Sequence, residues 1–157
     1  MRTILALLLT FGFVFSACAA DITGPQPTLP TAPLMIDTPK GPVQFTVEMA
    51  VNWPQQEAGL MFRKSVAPNA GMLFDFGKEQ ETAFWMKNTL IPLDMLFIKA
   101  NGTIARIEVN AKPLSEDSIP SYEPVRAVLE IAGGRAGQLG LKAGGKVHAA
   151  IFGNLGK

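Results

Sequence analysis

Between Phe84 and Asp94 the chain reads Phe-Trp-Met-Lys-Asn-Thr-Leu-Ile-Pro-Leu-Asp. An indole, an amine, an amide, a hydroxyl and a carboxylate in one short run are unusual for a core strand. A buried amine or amide without a partner costs several kcal/mol. Trp85 offers an aromatic platform. Lys87 offers an ammonium for an anionic or carbonyl oxygen, and Asn88 an amide for paired hydrogen bonds. In an extended conformation Trp85 and Lys87 point one way, and Met86 and Asn88 the other. Asp94 follows Pro92-Leu93 at the entrance to the apolar run Met95-Leu96-Phe97-Ile98 and could pair with Arg63 or Lys87. The planar fork of Arg63 suits a carboxylate, on the protein or on a ligand. Arg63, Trp85, Lys87, Asn88 and Asp94 are therefore the candidate ligand-binding set. The structural alternative is a sheet corner, with Asn88 bonding turn backbone ahead of Ile91-Pro92 and Asp94 serving a salt bridge or a turn cap.

Glu130 is a possible second carboxylate. It lies between Leu129 and Ile131, on the opposite face of a strand, where it either faces solvent or joins Asp94 across a cleft for acid–base chemistry. His148 is the only histidine. One histidine makes neither a metal cluster nor a Ser-His-Asp set, and its alternation with Val147 and Ala149 places it toward solvent or a sheet edge. Met49, Met61, Met72, Met86 and Met95 lack close Met-x-Met spacing and read as core filler rather than copper ligands. Gly133-Gly134 and Gly144-Gly145 read as turns, and no glycine-rich phosphate loop is present. No metal and no cofactor is expected.

The ends bound where the protein works. Met1-Arg2 is a short positive start, Thr3–Phe15 is apolar apart from two threonines, and Ser16-Ala17-Cys18-Ala19-Ala20 supplies small residues for cleavage. Residues 1–20 thus read as a signal peptide. The apolar run of about 13 residues is shorter than the roughly 20 a spanning helix needs. Cys18, the only cysteine, allows two outcomes: lipidation as the mature N-terminus after Phe15-Ser16-Ala17, or loss with the leader under the small-x-small rule of Ala17-Cys18-Ala19. The folded part has no thiol in either case, which excludes thiol redox catalysis and thiolate metal sites. Residues 21–34 are rich in proline and threonine and read as an extended, solvated tether. Residues 35–157 form one domain, long enough to bury a sizeable core. The chain carries 14 basic and 13 acidic residues without a basic run, so nucleic acid is excluded as a partner on electrostatic grounds. Membrane association is expected only through the leader or a lipid on Cys18, and the location is the periplasm or the envelope surface.

Period-two alternation predicts strands at Val43–Met49, Met72–Phe76, Ala105–Val109, Val125–Ile131 and Val147–Ile151. Met95–Ile98, apolar throughout, predicts a strand buried on both faces. Asn101-Gly102 predicts a hairpin between that strand and the next. A short helix is expected after Asn52, with Pro54 in its first turn and Gln55 reaching back, and with Trp53, Leu60 and Met61 as its apolar face. A second is expected over Gly134–Leu139, with Gly140 closing it. The fold class is mainly β: a compact β-sandwich or barrel with two short helices.

Gly59-Leu60-Met61-Phe62-Arg63, Gly71-Met72-Leu73-Phe74, the run from Phe84 to Asp94, Val128-Leu129-Glu130, Gly133-Gly134 and Leu139-Gly140-Leu141 together resemble the bacterial and archaeal family DUF192, also called UPF0127. The resemblance covers about Val43 to Phe152 and implies a mainly β domain without an assigned activity. Gly144-Gly145 stands where that family is expected to carry Gly-Asp. The functional expectation is an exported envelope domain that binds a small polar or anionic ligand or a glycan. The alternatives are a hydrolase using Asp94 or Glu130 as general acid or base, and a scaffold for other envelope proteins.

Overall fold

The computed structural model describes residues 21–156. The leader and the possible lipidation site Cys18 lie outside them. Nine strands and two helices follow in order: β1 (Thr31–Ile36), β2 (Val43–Ala50), α1 (Trp53–Ala58), β3 (Ala70–Gln80), β4 (Ala83–Phe84), β5 (Leu93–Ile98), β6 (Ile104–Ala111), β7 (Ile119–Pro120), β8 (Val125–Ala132), α2 (Arg135–Leu139) and β9 (Val147–Ala149), with a 3-10 turn at Ala150–Phe152. Seven strands make one sheet in the order β6-β5-β8-β3-β2-β1-β9, while β4 and β7 form a small separate pair. Only β2 and β3 run parallel. A parallel pair needs a crossover, and here the crossover carries α1 over the convex face.

The sheet curls into a half-barrel whose two edges meet at one end. Thr103 bridges Lys146, and the Val147 N–H donates to the Gly102 carbonyl at 2.8 Å. The Asn101-Gly102 hairpin thus closes the barrel as well as joining β5 to β6. Leu34, Ile36, Phe45, Val47, Leu73, Leu96, Ile98, Leu129 and Ile131 fill the inside of the curl beneath Ala136 of α2. Met72, Phe74, Leu93, Met95, Phe97 and Val128 form a second core on the outer face, under Leu60 and Met86. β5 is therefore buried along its whole length, as its unbroken apolar run requires. Ile107 is only partly buried, because β6 is an edge.

The expected strands and both helices form, except that the last strand stops at Ala149 and Ile151 lies in the 3-10 turn. Asn52 Oδ1 accepts from the Gln55 N–H at 3.1 Å, and Gln55 Oε1 accepts from the Val51 N–H at 2.9 Å, a reciprocal cap that starts α1. Two expectations are corrected. Residues 21–34 are not a free tether: β1 begins at Thr31 and lies between β2 and β9. Upstream of it, the Gln26 amide donates to the Gln55 and Gly59 carbonyls at 3.0 and 2.8 Å. Proline's fixed φ is compatible with extended backbone, and the ladder can spare the donor that Pro33 lacks. Nor does Trp53 share an apolar helix face with Leu60 and Met61. The helix ends at Ala58, and Trp53 is 74% exposed while Leu60 and Met61 are buried beyond it.

Candidate functional site

The two dense sequence elements meet on the outer face. Phe62 and Asn88 both adopt left-handed backbone, φ 60° and 55°. The Phe62 N–H donates to the Asn88 carbonyl at 2.8 Å, and the Asn88 amide lies 3.8 Å from Met61 Sδ. This joins the Gly59–Arg63 loop to the segment after β4. Residues 85–88 do not continue the strand expected from the sequence: β4 ends at Phe84 and a turn follows at Lys87 and Asn88. Met86 is fully buried, and its N–H donates to the Ser115 carbonyl at 2.8 Å.

A cleft of about 490 Å³ opens between these elements. α1 and the loop after it supply one wall, with Trp53, Gln56, Glu57 and Gly59–Met61. Thr82–Trp85 and Thr89 form the opposite wall, Phe74, Phe76 and Gln80 of β3 line its length, and Glu116 and Ser118 close one end. A shallower depression, lined by Val51, Asn52, Asp75 and Gly77, continues past Trp53. Phe84 packs edge-on against Phe74, with ring centroids 5.0 Å apart.

Glu130 lies at the base of this cleft. Its sheet neighbours are Met72 on β3 and Met95 on β5, both fully buried. Glu130 itself is 4% exposed, which corrects the solvent-facing alternative. Its carboxyl makes no hydrogen bond or salt bridge with any described residue. Burial in this apolar setting pushes its pKa up from the usual carboxylate range to about 8, so it is mostly a neutral acid at pH 7. The sequence leaves Glu130 either facing solvent or facing a cleft. Val128, two residues earlier on the same face, marks that face as covered.

The candidate set does not converge on the cleft. Trp85, 45% exposed, lines it. Lys87 stands beside it, with its ammonium 5.2 Å from the Trp85 ring centre. Asn88 braces the wall from behind through Met61. Arg63 pairs with Glu48 at 3.1 Å and reaches the Gln26 carbonyl at 3.4 Å, and its Nε is buried without a partner. Asp94 pairs with neither Arg63 nor Lys87. Its Oδ1 accepts from the Asn110 and Gly134 N–H groups at 2.8 and 2.9 Å, and its Oδ2 from the Ala136 N–H at 2.7 Å. The residues at Gly133 make this possible: a Cβ there would stand 2.8 Å from Pro92, so only glycine lets β8 turn this close to β5. The Asp94–Glu130 pair is excluded by register. Asp94 is opposite Ile131 and Glu130 opposite Met95, so the two carboxyls leave opposite faces of the sheet. His148 sits on β9 at the sheet edge, 3.0 Å from Asp37, far in the sheet order from β8. Sequence reasoning missed Trp53, Phe76, Glu57 and Glu116 as cleft residues, because only the crossover and the loop after β6 bring them together.

Comparison with solved structures finds several matches, among them the following two. A proposed transcription regulator from Sinorhizobium meliloti 1021 is 44% identical with a TM-score of 0.77, over 80% of this chain and 98% of that one. A protein of unknown function from Novosphingobium aromaticivorans DSM 12444 is 38% identical with a TM-score of 0.75, over 83% of this chain and 93% of that one. No curated protein matches the chain. The family DUF192, described as "Uncharacterized ACR, COG1430", matches residues 35–149. With most of the sheet, both helices and the whole cleft inside that span, the chain belongs to the DUF192 family.

Proposed function

We propose that this chain is an exported envelope domain that binds a small polar ligand of the glycan class in the cleft beneath α1. One observation carries the reading: Glu130, only 4% exposed, lines the cleft, and its carboxyl has no hydrogen-bond or ion-pair partner among the described residues. Among the described residues the fully buried side-chain atom without a partner is Arg63 Nε, so the Glu130 oxygens, which bond no described residue, are open to the cleft, where a ligand can satisfy them. Trp53 and Trp85 line the cleft and are 74% and 45% exposed, aromatic surface of the kind that holds sugar rings. The ionisable residues that line the cleft, Glu57, Glu116 and Glu130, are all acidic, which favours a neutral over an anionic ligand. Residues 1–20 direct the chain to the envelope, with a lipid on Cys18 as one mature form. A nucleic-acid role, which the name of the Sinorhizobium relative raises, has no support in the charge, since the formal net charge is +1 without a basic run. Calorimetric titration with a panel of neutral oligosaccharides tests the reading. Trp53→Ala and Trp85→Ala should each weaken binding at least about tenfold, as expected for loss of a stacking platform. Equal affinity in wild type and both variants would move the site elsewhere.

A hydrolase is the second reading, and the raised pKa of Glu130 in a cleft that holds other carboxylates favours it. It keeps Glu130 as the general acid and gives up Asp94. Release of reducing ends by the wild type, and its loss in Glu130→Gln, is the expected result. Binding without turnover removes the reading.

A further inference from the structure

We propose that the cleft takes an ammonium group, on an aliphatic amine or an amino sugar, seated against the Glu130 carboxyl between aromatic walls. This rests on the binding reading above and names its ligand chemistry.

The argument begins with the charges around the cleft. Three arginines are each matched within the protein, Arg63 to Glu48 at 3.1 Å, Arg126 to Asp75 at 2.8 Å and Arg106 to Glu108. Glu130 is left as the buried acid with no cation of its own. Among the described residues, no lysine, arginine or histidine lines the cleft. The other titratable residues that line the cleft are Glu57 from the α1 side and Glu116 from the loop after β6, while Glu130's sheet neighbours Met72 and Met95 do not titrate. Trp53, Phe74, Phe84 and Trp85 line the cleft, and the quadrupole of an aromatic ring attracts a cation to its face. The chain already shows that chemistry: the Lys87 ammonium lies over the Trp85 ring, and the Arg106 guanidinium over the rings of Phe97 and Tyr122. A metal ion is a poorer fit, because no three acidic or imidazole groups among the described residues come together to hold one.

The proton balance gives the test its sign. An ammonium binds the ionised carboxylate, so the Glu130 proton leaves to solvent as the ion pair forms. Binding therefore strengthens as pH rises toward the folded pKa of about 8, by roughly fifty-fold between pH 6 and pH 8 for an amine that stays charged throughout. A neutral ligand that accepts a hydrogen bond from the protonated acid does the reverse and weakens above pH 8.

The experiment is calorimetric titration of the mature chain with 1,4-diaminobutane, 6-amino-6-deoxyglucose and neutral oligosaccharides at pH 6, 7 and 8, on wild type and Glu130→Gln. Glu130→Gln keeps the shape of the protonated acid, and its melting curve verifies the fold. The expected result is binding of at least one amine, the stated rise with pH, and loss of both affinity and pH dependence in the variant. Binding by both amines identifies the ammonium alone as the determinant; binding by the amino sugar alone adds the ring. Neutral oligosaccharides that bind while both amines stay silent would overturn the ammonium inference and leave the binding reading standing. Silence of every probe would overturn both.

Discussion

Asp94 and Glu130 are both buried carboxyl groups, on the neighbouring strands β5 and β8. They leave the sheet on opposite sides and meet opposite treatment. Asp94 receives three backbone N–H groups, from Asn110, Gly134 and Ala136. Gly134, at the cap position of α2, has no side-chain cap of its own, so Asp94 supplies one from across the sheet. Glu130 receives nothing from the described residues and is pushed toward its neutral form. One acid is spent on holding a turn, while the other is held open at the base of a cleft. Burial alone therefore does not distinguish a structural acid from a functional one; the inventory of partners does.

The comparison is broken most directly at Asp94. Asp94→Ala strands three amide donors in or near the core, and the loss should be about 3–5 kcal/mol in chemical denaturation. Asp94→Asn, which keeps an acceptor, should lose less. A cost below about 1 kcal/mol for the alanine variant would mean that α2 stands without this cap and that Asp94 is not the structural member of the pair.

Glu130 should respond in the other direction. Its folded pKa, about 8, lies above the ordinary 4.5. The folded state therefore holds the proton more tightly than the unfolded chain, and stability falls as pH climbs from about 4.5 through about 8. Glu130→Gln removes that loss. It should be close to wild type at pH 5 and more stable at pH 9, by on the order of a few kcal/mol. Melting curves at the two pH values decide it. Equal melting at both would place an unseen cation against the carboxyl.

Much of this arrangement was legible in the residues. Alternation located the strands at β2, β3, β6 and β8, and Asn101-Gly102 located the hairpin, because each signal is local. β1 was hidden by Pro25, Pro27, Pro30 and Pro33. Proline argues against a strand until the neighbour that completes the ladder is known, and that neighbour, β9, lies at the far end of the chain. The site was legible in part. The Phe84–Asp94 run and the Gly59–Arg63 loop do meet, but their polar groups are divided among a cleft wall, a brace and a cap. Whether Asp94 faced Arg63 or a row of amides depended on how close Gly133 approaches Pro92. That is a property of the folded sheet rather than of any local pattern.

The smallest expected effects separate the brace from the mouth of the cleft. Asn88 holds φ at 55°, a left-handed conformation that asparagine and glycine tolerate and alanine resists by about 1 kcal/mol or more. Its side chain makes only the long contact to Met61 Sδ, while its carbonyl, which accepts from the Phe62 N–H, survives any substitution. Asn88→Ala should therefore lose about 1 kcal/mol, and Asn88→Gly should recover much of it although it removes the same amide. Lys87→Ala removes a half-exposed ammonium from the face of Trp85, a contact worth about 0.5–1 kcal/mol at such a site, and should shift melting least. If Asn88→Gly proves as unstable as Asn88→Ala, the amide itself is holding the wall, and Asn88 belongs with Asp94 among the structural polar groups. If Gly rescues stability but ligand binding stays weak, the backbone sets the fold of the turn and the amide serves the cleft.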